Sequence, residues 1–140
     1  MSIRKPDMPA NGTGRCLCGT VTFEWLAKPL WAAHCHCESC RRHCSAPFTS
    51  FFGMRDGAWG WTGGAPALYG SSPGTRRYFC ATCGTPMAYA SDTFPGETHF
   101  YASSLDEPEC YDPKGHVHFD EALSWIHLSD TLPRHGSTSV

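Results

Sequence analysis

The spacing of cysteine constrains this chain more than any other feature. Eight of its nine cysteines fall into four short groups, Cys16-Leu-Cys18, Cys35-His-Cys37, Cys40-x-x-x-Cys44 and Cys80-Ala-Thr-Cys83. Cysteines this close in sequence rarely form a disulfide with each other, because the Cα separation and the Cβ directions must both fit. Their thiolates can instead converge on one Zn²⁺ ion, at about 2.3 Å each. The pattern therefore predicts a zinc-binding protein.

The length of the chain fits a single domain. Its 140 residues are close to the size at which a domain buries roughly 68–70% of its unfolded surface, so a core is feasible without disulfides. No internal repeat or long linker divides the sequence. We expect one zinc-binding domain over residues 14–133, between a flexible arm at 1–13 and a tail at 134–140.

Charge and hydropathy narrow the classes of partner. The net charge is −2 and the sequence pI is about 6.4, whereas nucleic-acid binders usually carry a basic stripe. No apolar run approaches the ~18 residues that a membrane span needs, and the first 14 residues lack the apolar stretch of a signal peptide. We expect a cytoplasmic protein without nucleic-acid or membrane partners. Free thiols are usual in that compartment, and we interpret Cys110, the ninth cysteine, as an incidental surface thiol.

Strand patterns dominate the sequence. Val21, Phe23 and Trp25 alternate with polar residues, so one face of this segment is apolar. Five further segments have β-prone or aromatic residues and are separated by Gly, Pro, Asn or Asp clusters. They are Phe48–Phe52, Arg77–Cys80, Pro86–Ala90, Thr98–Ala102 and His116–Phe119. Helix is confined to short turns near 37–44, 105–109 and 120–123. The chain is predicted to be mainly β with few short helices.

The first and last cysteine pairs have the form of zinc knuckles. Cys80-x-x-Cys83 and Cys16-x-Cys18 are each followed by glycine, which allows a positive φ and hence a tight turn around the second sulfur. Together they would provide four thiolates, which close a tetrahedral site and leave no position for chemistry. The alternative for Cys80-x-x-Cys83 is a thioredoxin-like redox pair, but that motif expects a βαβ context that is missing here.

The cysteines in the middle of the chain have the spacing of a catalytic metal site. Cys35, Cys37 and Cys40 provide three thiolates, and three protein ligands plus an open position are typical of a catalytic zinc. If residues 37–44 are helical, Cys37, Cys40 and Cys44 share one side of the helix. Cys44 is then either a fourth ligand, which would close the site, or a small buried side chain beside it.

These residues resemble a known family. The chain contains Gly14-x-Cys16-x-Cys18-Gly19-x-Val21, Cys35-His36-Cys37-x-x-Cys40-Arg41-Arg42 and Phe79-Cys80-x-x-Cys83-Gly84, with Trp125-x-x-x-x-Asp130-x-Leu132-Pro133 near its end. The set is similar to the glutathione-dependent formaldehyde-activating enzyme (Gfa) family, which includes centromere protein V. The likeness covers residues 14–133 and includes seven cysteines in order.

The resemblance implies a fold and an activity. The fold is a zinc-stapled, Gfa-like (β-tent) sheet domain related to a small-GTPase-binding zinc chaperone. One structural zinc would be held by Cys16, Cys18, Cys80 and Cys83, and a second, catalytic zinc by Cys35, Cys37 and Cys40. The implied reaction joins formaldehyde to glutathione, as a carbon–sulfur lyase does in reverse. Relatives usually have a small residue such as serine at the position of Cys44, so this cysteine is a departure from the family pattern.

Other side chains near the cysteines are candidates for supporting roles. His36 lies between two ligands and is interpreted as a general acid or as a hydrogen-bonding neighbour of the ligands, and His34 or His43 is an alternative ligand. Arg41 and Arg42 are assigned to the carboxylates of a glutathione-like thiol. The other candidates for that role are Arg76 and Arg77, although surface arginines without a ligand are common.

Three hypotheses about function follow. The chain is a zinc-dependent enzyme acting on a thiol and a small aldehyde, a non-catalytic zinc-stabilised binding module, or a thiol or metal sensor that uses the Cys35–Cys44 cluster. The coordination of the second metal separates them. Three thiolates with an open position favour the enzyme, a site closed by four thiolates favours the module, and a site that empties or oxidises readily favours the sensor.

Overall fold

The computed structural model describes residues 5–137, and within them the chain is mainly β, as predicted. There are ten strands and one helix. The strands are β1 (Gly12–Arg15), β2 (Thr22–Trp25), β3 (Trp31–Cys35), β4 (Thr49–Arg55), β5 (Trp59–Trp61), β6 (Ala67–Ser72), β7 (Thr75–Phe79), β8 (Pro86–Ser91), β9 (Glu97–Tyr101) and β10 (His116–Val117), and the helix is α1 (Glu38–Cys44). Three short 3₁₀ turns follow β9 and β10, at Ala102–Ser104, Pro108–Cys110 and Phe119–Glu121. No helix in this part of the chain has the length and apolar character needed to cross a membrane.

The strands form two sheets. The smaller sheet has the order β1-β2-β5, and the larger one has the order β10-β3-β4-β9-β8-β7-β6. All pairs are antiparallel except β10 with β3, which run parallel. The parallel pair brings the C-terminal part of the chain next to the strand that ends at Cys35.

The main core lies between the two sheets. Phe23 and Trp25 of β2 are fully buried, as their alternation predicts, and face Phe52 and Phe100 of the larger sheet. The rings of Phe23 and Phe100 stack with centroids 4.5 Å apart. Aromatic pairs at this distance add about 0.5–1.5 kcal/mol beyond the area that they bury. This contact joins one sheet firmly to the other.

A second core lies on the opposite face of the larger sheet, under α1. Since side chains alternate along a strand, Phe51 belongs to this core while Phe52 belongs to the first. Tyr101 and Val117 complete the sheet side, and Cys40 is the buried residue of α1. Cys35, at the end of β3, also points to this face.

One row of side chains crosses five strands on this second face. The strand registers pair Trp31 with Gly53, Gly53 with His99, His99 with Tyr89, and Tyr89 with Arg77. The Trp31 indole lies over Gly53, where a Cβ atom would come within 2.2 Å of the indole Nε1. We call this row the aromatic row. It lies on the same face of the sheet as α1, and Arg77 at its end contacts Ser39 and Cys40 of the helix.

The structure reproduces all six predicted strands with shifted ends, and the short helix at 37–44. Four strands lack a predictive signal: β1, β3, β5 and β6. The sequence of β3, Trp-Ala-Ala-His-Cys, contains two alanines that do not favour strand, and β6 is almost entirely exposed. Their strand form depends on pairing with neighbours that are distant in sequence.

Both ends of the described chain make contacts with the domain. Met8 is buried in the main core, Trp25 Nε1 donates to the carbonyl of Pro9 at 3.1 Å, and β1 begins at Gly12. These residues lie in the segment expected to be a flexible arm, while residues 1–4 lie outside the described part. In the expected tail, Arg134 forms a bridge with His116, and residues 138–140 lie outside the described part.

Candidate metal centres

The first cysteine cluster joins the two knuckle motifs. The sulfur atoms of Cys16, Cys18, Cys80 and Cys83 all lie within 4.8 Å of one another. The Cys18 sulfur is 3.6 Å from that of Cys16 and 3.7 Å from that of Cys80. Four sulfurs placed tetrahedrally at 2.3 Å from a zinc ion would be about 3.8 Å apart. The four thiols can therefore hold a metal ion with little movement.

The backbone of both knuckles is shaped around the sulfurs. Gly19 and Gly84 have φ values of 82° and 83°, the positive values that the trailing glycines predict. Backbone N–H groups of Val21 and Cys83 point at the sulfurs of Cys16 and Cys80, at 3.3 and 3.5 Å. Donors of this kind stabilise thiolate, which is the form that binds metal. The donor set and the geometry fit a closed structural site.

A threonine joins the two knuckles across the cluster. The Thr85 hydroxyl accepts from the backbone N–H of Leu17 at 3.0 Å and lies 3.2 Å from the Cys83 sulfur. Hydrogen bonding to Thr85 lowers the pKa of Cys83 to about 5. This contact favours the thiolate form of Cys83, which is the form that binds metal.

The second cluster lies at the junction of β3 and α1. Cys35 ends β3, Cys37 precedes the first helical residue, and Cys40 is in the first turn of α1. Their three sulfur atoms lie within 4.8 Å of one another. Cys35 and Cys40 are buried and Cys37 is partly exposed. The three thiols predicted as ligands are therefore together, and they can hold a metal ion.

The three thiols share protons unequally. Hydrogen bonds from Cys35 and Cys40 lower the pKa of Cys37, and the same contact with Cys37 raises the pKa of Cys35. A hydrogen bond with Cys35 favours the Cys40 thiolate, but a hydrogen bond with Cys37, burial and the negative charge of Cys37 outweigh it and raise the pKa of Cys40 to about 11. A metal ion that binds here would displace protons from Cys35 and Cys40.

Cys44 lies outside this second cluster. It is the last residue of α1, and its thiol is not among the three sulfurs within mutual reach. It lines a different cavity together with Tyr101, and burial raises its pKa. Of the two interpretations open from the sequence, the structure supports the small side chain beside the site, although Cys44 is half-buried and not fully buried.

A small cavity opens onto the three sulfurs of the second cluster. Its volume is about 60 Å³, room for roughly two water molecules at 30 Å³ each. Aromatic and apolar side chains form most of its wall, with two histidines. They are Trp31, Phe51, Tyr89, Phe94, Val117, His99 and His118. The cavity fits a reactant of one or two carbons beside the cluster.

A larger cavity of about 520 Å³ lies between α1 and the first cluster. Its wall combines Cys44, Phe48 and Tyr101 with hydroxyl groups such as those of Thr49 and Ser103. The Tyr101 hydroxyl is buried and has no hydrogen-bond partner among the described residues. This volume is in the range of small-molecule sites.

The His36 side chain points away from the sulfurs of its sequence neighbours, Cys35 and Cys37. It is fully buried, and its Nε2 is 2.9 Å from Nδ1 of His116. The Nε2 of His116 is 3.1 Å from both carboxylate oxygens of Asp130. Since a carboxylate only accepts, His116 donates from Nε2 to Asp130, and its Nδ1 is placed to accept from Nε2 of His36. Burial lowers the pKa of His36 to about 4, so His36 is a neutral donor. Its hydrogen bond to His116 connects the segment between Cys35 and Cys37 to the C-terminal part of the chain.

The other histidines considered as ligands lie outside both clusters. His34 Nδ1 is 2.8 Å from the Ser50 hydroxyl, and burial lowers the His34 pKa to about 4. His43 Nε2 is buried without a hydrogen-bond partner among residues 5–137. Both positions agree with an all-cysteine donor set.

The two arginines assigned to a substrate carboxylate have partners within the protein. Arg41 donates to the backbone carbonyls of His36 and Glu121. Arg42 forms an exposed ion pair with Glu38 at 2.8 Å. Neither arginine lines the two cavities, so their role toward a substrate stays a prediction.

Two residues near the second cluster carried no sequence signal of their role. His118 lines the small cavity, and its Nδ1 is 3.4 Å from Glu121. Arg77 donates to the sulfur of Cys40 at 3.8 Å. His118 belongs to a weak strand pattern and Arg77 to a pair of adjacent arginines. Both residues reach the second cluster through strand pairing, of β10 with β3 for His118 and of β7 with β8 for Arg77. This pairing is not apparent from the sequence.

Comparison with known proteins agrees with this geometry. The sequence model of the family described as glutathione-dependent formaldehyde-activating enzyme matches residues 11–121. A lyase of Schizosaccharomyces pombe, itself uncharacterised, is 27% identical over 116 residues, which cover 71% of this chain and 82% of the relative. The crystal structure of a Rhodobacter sphaeroides protein superposes with a TM-score of 0.57 at 26% identity, covering 67% of this chain and 87% of that one. The chain therefore belongs to the glutathione-dependent formaldehyde-activating enzyme family.

Proposed function

We propose that the protein is a zinc-dependent enzyme of the carbon–sulfur lyase type, which joins a thiol such as glutathione to formaldehyde or another small aldehyde. The observation that carries the proposal is the three-sulfur cluster beside a small cavity, with Cys44 directed elsewhere. Three protein ligands and an open position are what a catalytic zinc requires. The first cluster, with four sulfurs, is proposed as the structural zinc site.

Zinc in the second cluster would supply a position at which a coordinated thiol loses its proton. In the reaction, the thiol sulfur forms a bond to the aldehyde carbon, the C=O π bond breaks, and the new alkoxide takes a proton. Cys35, Cys37 and Cys40 hold the site in place. The aromatic wall limits the aldehyde to a small size and excludes bulk water, which favours attack by sulfur over hydration.

The proton donor must face the small cavity. His118 does so and is partly exposed to solvent, with Glu121 beside it to orient the ring. We therefore propose His118, in place of His36, as the proton carrier. His36 is proposed to position the loop between Cys35 and Cys37, because its hydrogen bond is directed to His116.

The volume of the small cavity limits which reactant it can hold. A cavity of about 60 Å³ is suited to the aldehyde, whereas a peptide-like thiol is too large to enter it as a whole. Arg41 and Arg42 remain proposed contacts for its carboxylates, although Glu38 would first have to release Arg42. The reaction uses reduced thiols, so we place it in the cytoplasm.

Metal coordination and exchange kinetics test the function. X-ray absorption of the zinc protein should show seven sulfur ligands for two zinc ions, and an eighth after glutathione is added. Exchange NMR with ¹³C-formaldehyde and glutathione should show faster adduct formation with the wild type than with Cys40→Ser or His118→Gln. Cys44→Ser is the matched control and should retain the rate.

Two results would contradict the proposal. Eight sulfur ligands before glutathione is added indicate a closed second site and a binding module. Loss of the second zinc with formation of a disulfide among Cys37, Cys40 and Cys44 under mild oxidation indicates a sensor.

A further inference from the structure

Arg77 is a buried cation whose neighbours include no carboxylate. It is 2% exposed, and none of the ion pairs among residues 5–137 includes it. Its neighbour Arg76, by contrast, is paired with Asp92 at 3.1 Å. A buried charge without a compensating partner is strongly destabilising. Some other group must therefore provide the negative charge that Arg77 requires.

The contacts of the guanidinium identify that group. Arg77 Nη1 donates to the Cys40 sulfur at 3.8 Å, Nη2 to the Ser39 hydroxyl at 3.2 Å, and Nε to the Ser71 hydroxyl at 3.1 Å. Its Cζ atom lies 5.0 Å from the centroid of the Tyr89 ring, a cation–π distance. Hydroxyl groups carry no net charge, so the negative partner is the sulfur cluster that contains Cys40.

The cluster has the opposite charge when it holds a divalent metal. Three thiolates and one Zn²⁺ have a net charge of −1, which the guanidinium brings to zero. We propose that Arg77 is the charge-compensating residue of the three-cysteine site, and that it stabilises the metal-bound cluster. It would act through Cys40, without itself being a metal ligand.

The fold places Arg77 for this role and makes it inaccessible to a substrate. The aromatic row pairs Arg77 with Tyr89 across β7 and β8, so the side chain emerges on the same face as the cluster. Arg77 lines neither the small nor the large cavity. To bind a substrate carboxylate, the role considered from the sequence, the guanidinium would have to be accessible to the substrate. Its contacts with Cys40, Ser39 and Ser71 leave it buried.

This inference rests on the proposed second metal site but not on the proposed reaction. Its test is the zinc affinity of each site, measured by competition with a chromogenic chelator. In Arg77→Gln the second zinc should bind roughly 10–100-fold more weakly, as is usual when a partner of a ligand is removed. Arg77→Lys retains the charge and should stay closer to the wild type. The affinity of the first zinc should be unchanged in both variants.

Arg76→Gln is the matched control, because it removes a neighbouring, partly exposed arginine that is paired with Asp92, and both affinities should stay at wild-type values. The proposal is wrong if Arg77→Gln and Arg77→Lys weaken the second zinc equally, or if neither does. A wild-type protein that binds only one zinc would overturn both this inference and the proposed function. Two normal sites that fail to respond to Arg77→Gln would overturn the inference alone.

Discussion

The thiols of Cys40 and Cys44 lie one helical turn apart on α1 but face different cavities. Cys40 lines the small cavity with Cys35 and Cys37, and Cys44 lines the large one. Four residues advance a helix by slightly more than one turn, so both side chains face the core beneath α1, but they are offset by one turn along the helix and line different cavities. Tyr101 occupies the position toward which Cys44 points.

Replacing these two cysteines should therefore give different zinc contents. Cys40→Ser should lose one of two zinc ions while the domain stays folded, because the first cluster is intact. Cys44→Ser should keep both. Zinc content by atomic emission and circular dichroism of the purified variants would check this. Loss of one zinc from Cys44→Ser would show that Cys44 is a ligand.

A change in the first cluster should have a larger effect on stability. Structural zinc contributes roughly 10–16 kcal/mol of apparent binding free energy, whereas a whole domain is stable by about 5–15 kcal/mol. Cys83→Ser should therefore leave the protein largely unfolded at 25 °C, as thermal circular dichroism would show. Cys110→Ser, which removes a cysteine outside both clusters, is the control and should melt as the wild type does. A folded Cys83→Ser protein with a normal zinc content would refute the structural assignment.

The hydrogen bonds between His36, His116 and Asp130 should contribute measurably to stability. Asp130→Ala leaves the buried His116 Nε2–H without its acceptor, which should lower the free energy of unfolding by about 1–3 kcal/mol. Asp130→Asn retains an oxygen that can accept and should lower it less. Urea denaturation of the three proteins provides the comparison. If both variants have the stability of the wild type, the network makes no net contribution.

Glu97 should give the stability a defined dependence on pH. Its carboxylate accepts from Trp31 Nε1 at 2.8 Å and lies 3.2 Å from His99 Nε2. The contact with His99, and then that with Trp31, lower the pKa of Glu97 from 4.5 despite partial burial. The folded state thus binds its proton less readily than the unfolded state does. The resulting stabilisation is fully present above pH 4.5 and is lost as the pH falls through the folded-state pKa.

Glu97→Gln isolates this effect. The variant should be less stable than the wild type by about 1–2 kcal/mol at pH 7, and the difference should narrow below pH 4.5. Acid effects common to both proteins, such as loss of metal, cancel in the comparison of their urea midpoints. A difference that stays constant from pH 7 to pH 4 would contradict the prediction.

The contact between Trp31 and Gly53 should not tolerate a methyl group. Gly53→Ala would place Cβ against the indole and displace a wall of the small cavity, with an expected loss of about 1–3 kcal/mol. Gly60→Ala is the control, since a Cβ atom on this strand glycine meets no atom within 4 Å. Equal melting temperatures for the two variants would show that the indole moves aside without cost.

The sequence predicted most of what depends on local spacing. The two cysteine clusters and the positive φ of Gly19 and Gly84 follow from motifs in which ligands and turn residues are neighbours. The apolar face of β2 follows from alternation. None of these predictions requires knowledge of which strands pair.

The parts that were not predictable depend on pairing between distant strands. Arg76 and Arg77 are adjacent and chemically identical, but Arg76 is partly exposed and Arg77 is buried against Cys40, because β7 alternates its faces. His118 reaches the small cavity only because β10 pairs in parallel with β3. The direction of Cys44 likewise depends on the sheet beneath α1.

The separation of the two knuckles also has a consequence for how the chain assembles. Cys18 and Cys80 are 62 positions apart, and closing a loop of that length costs about 4 kcal/mol of chain entropy. The loop includes α1 and Cys35, Cys37 and Cys40. A metal ion in the first cluster would therefore close the chain segment that contains the second cluster. The conformational entropy still to be lost when the second cluster binds a metal would then be smaller.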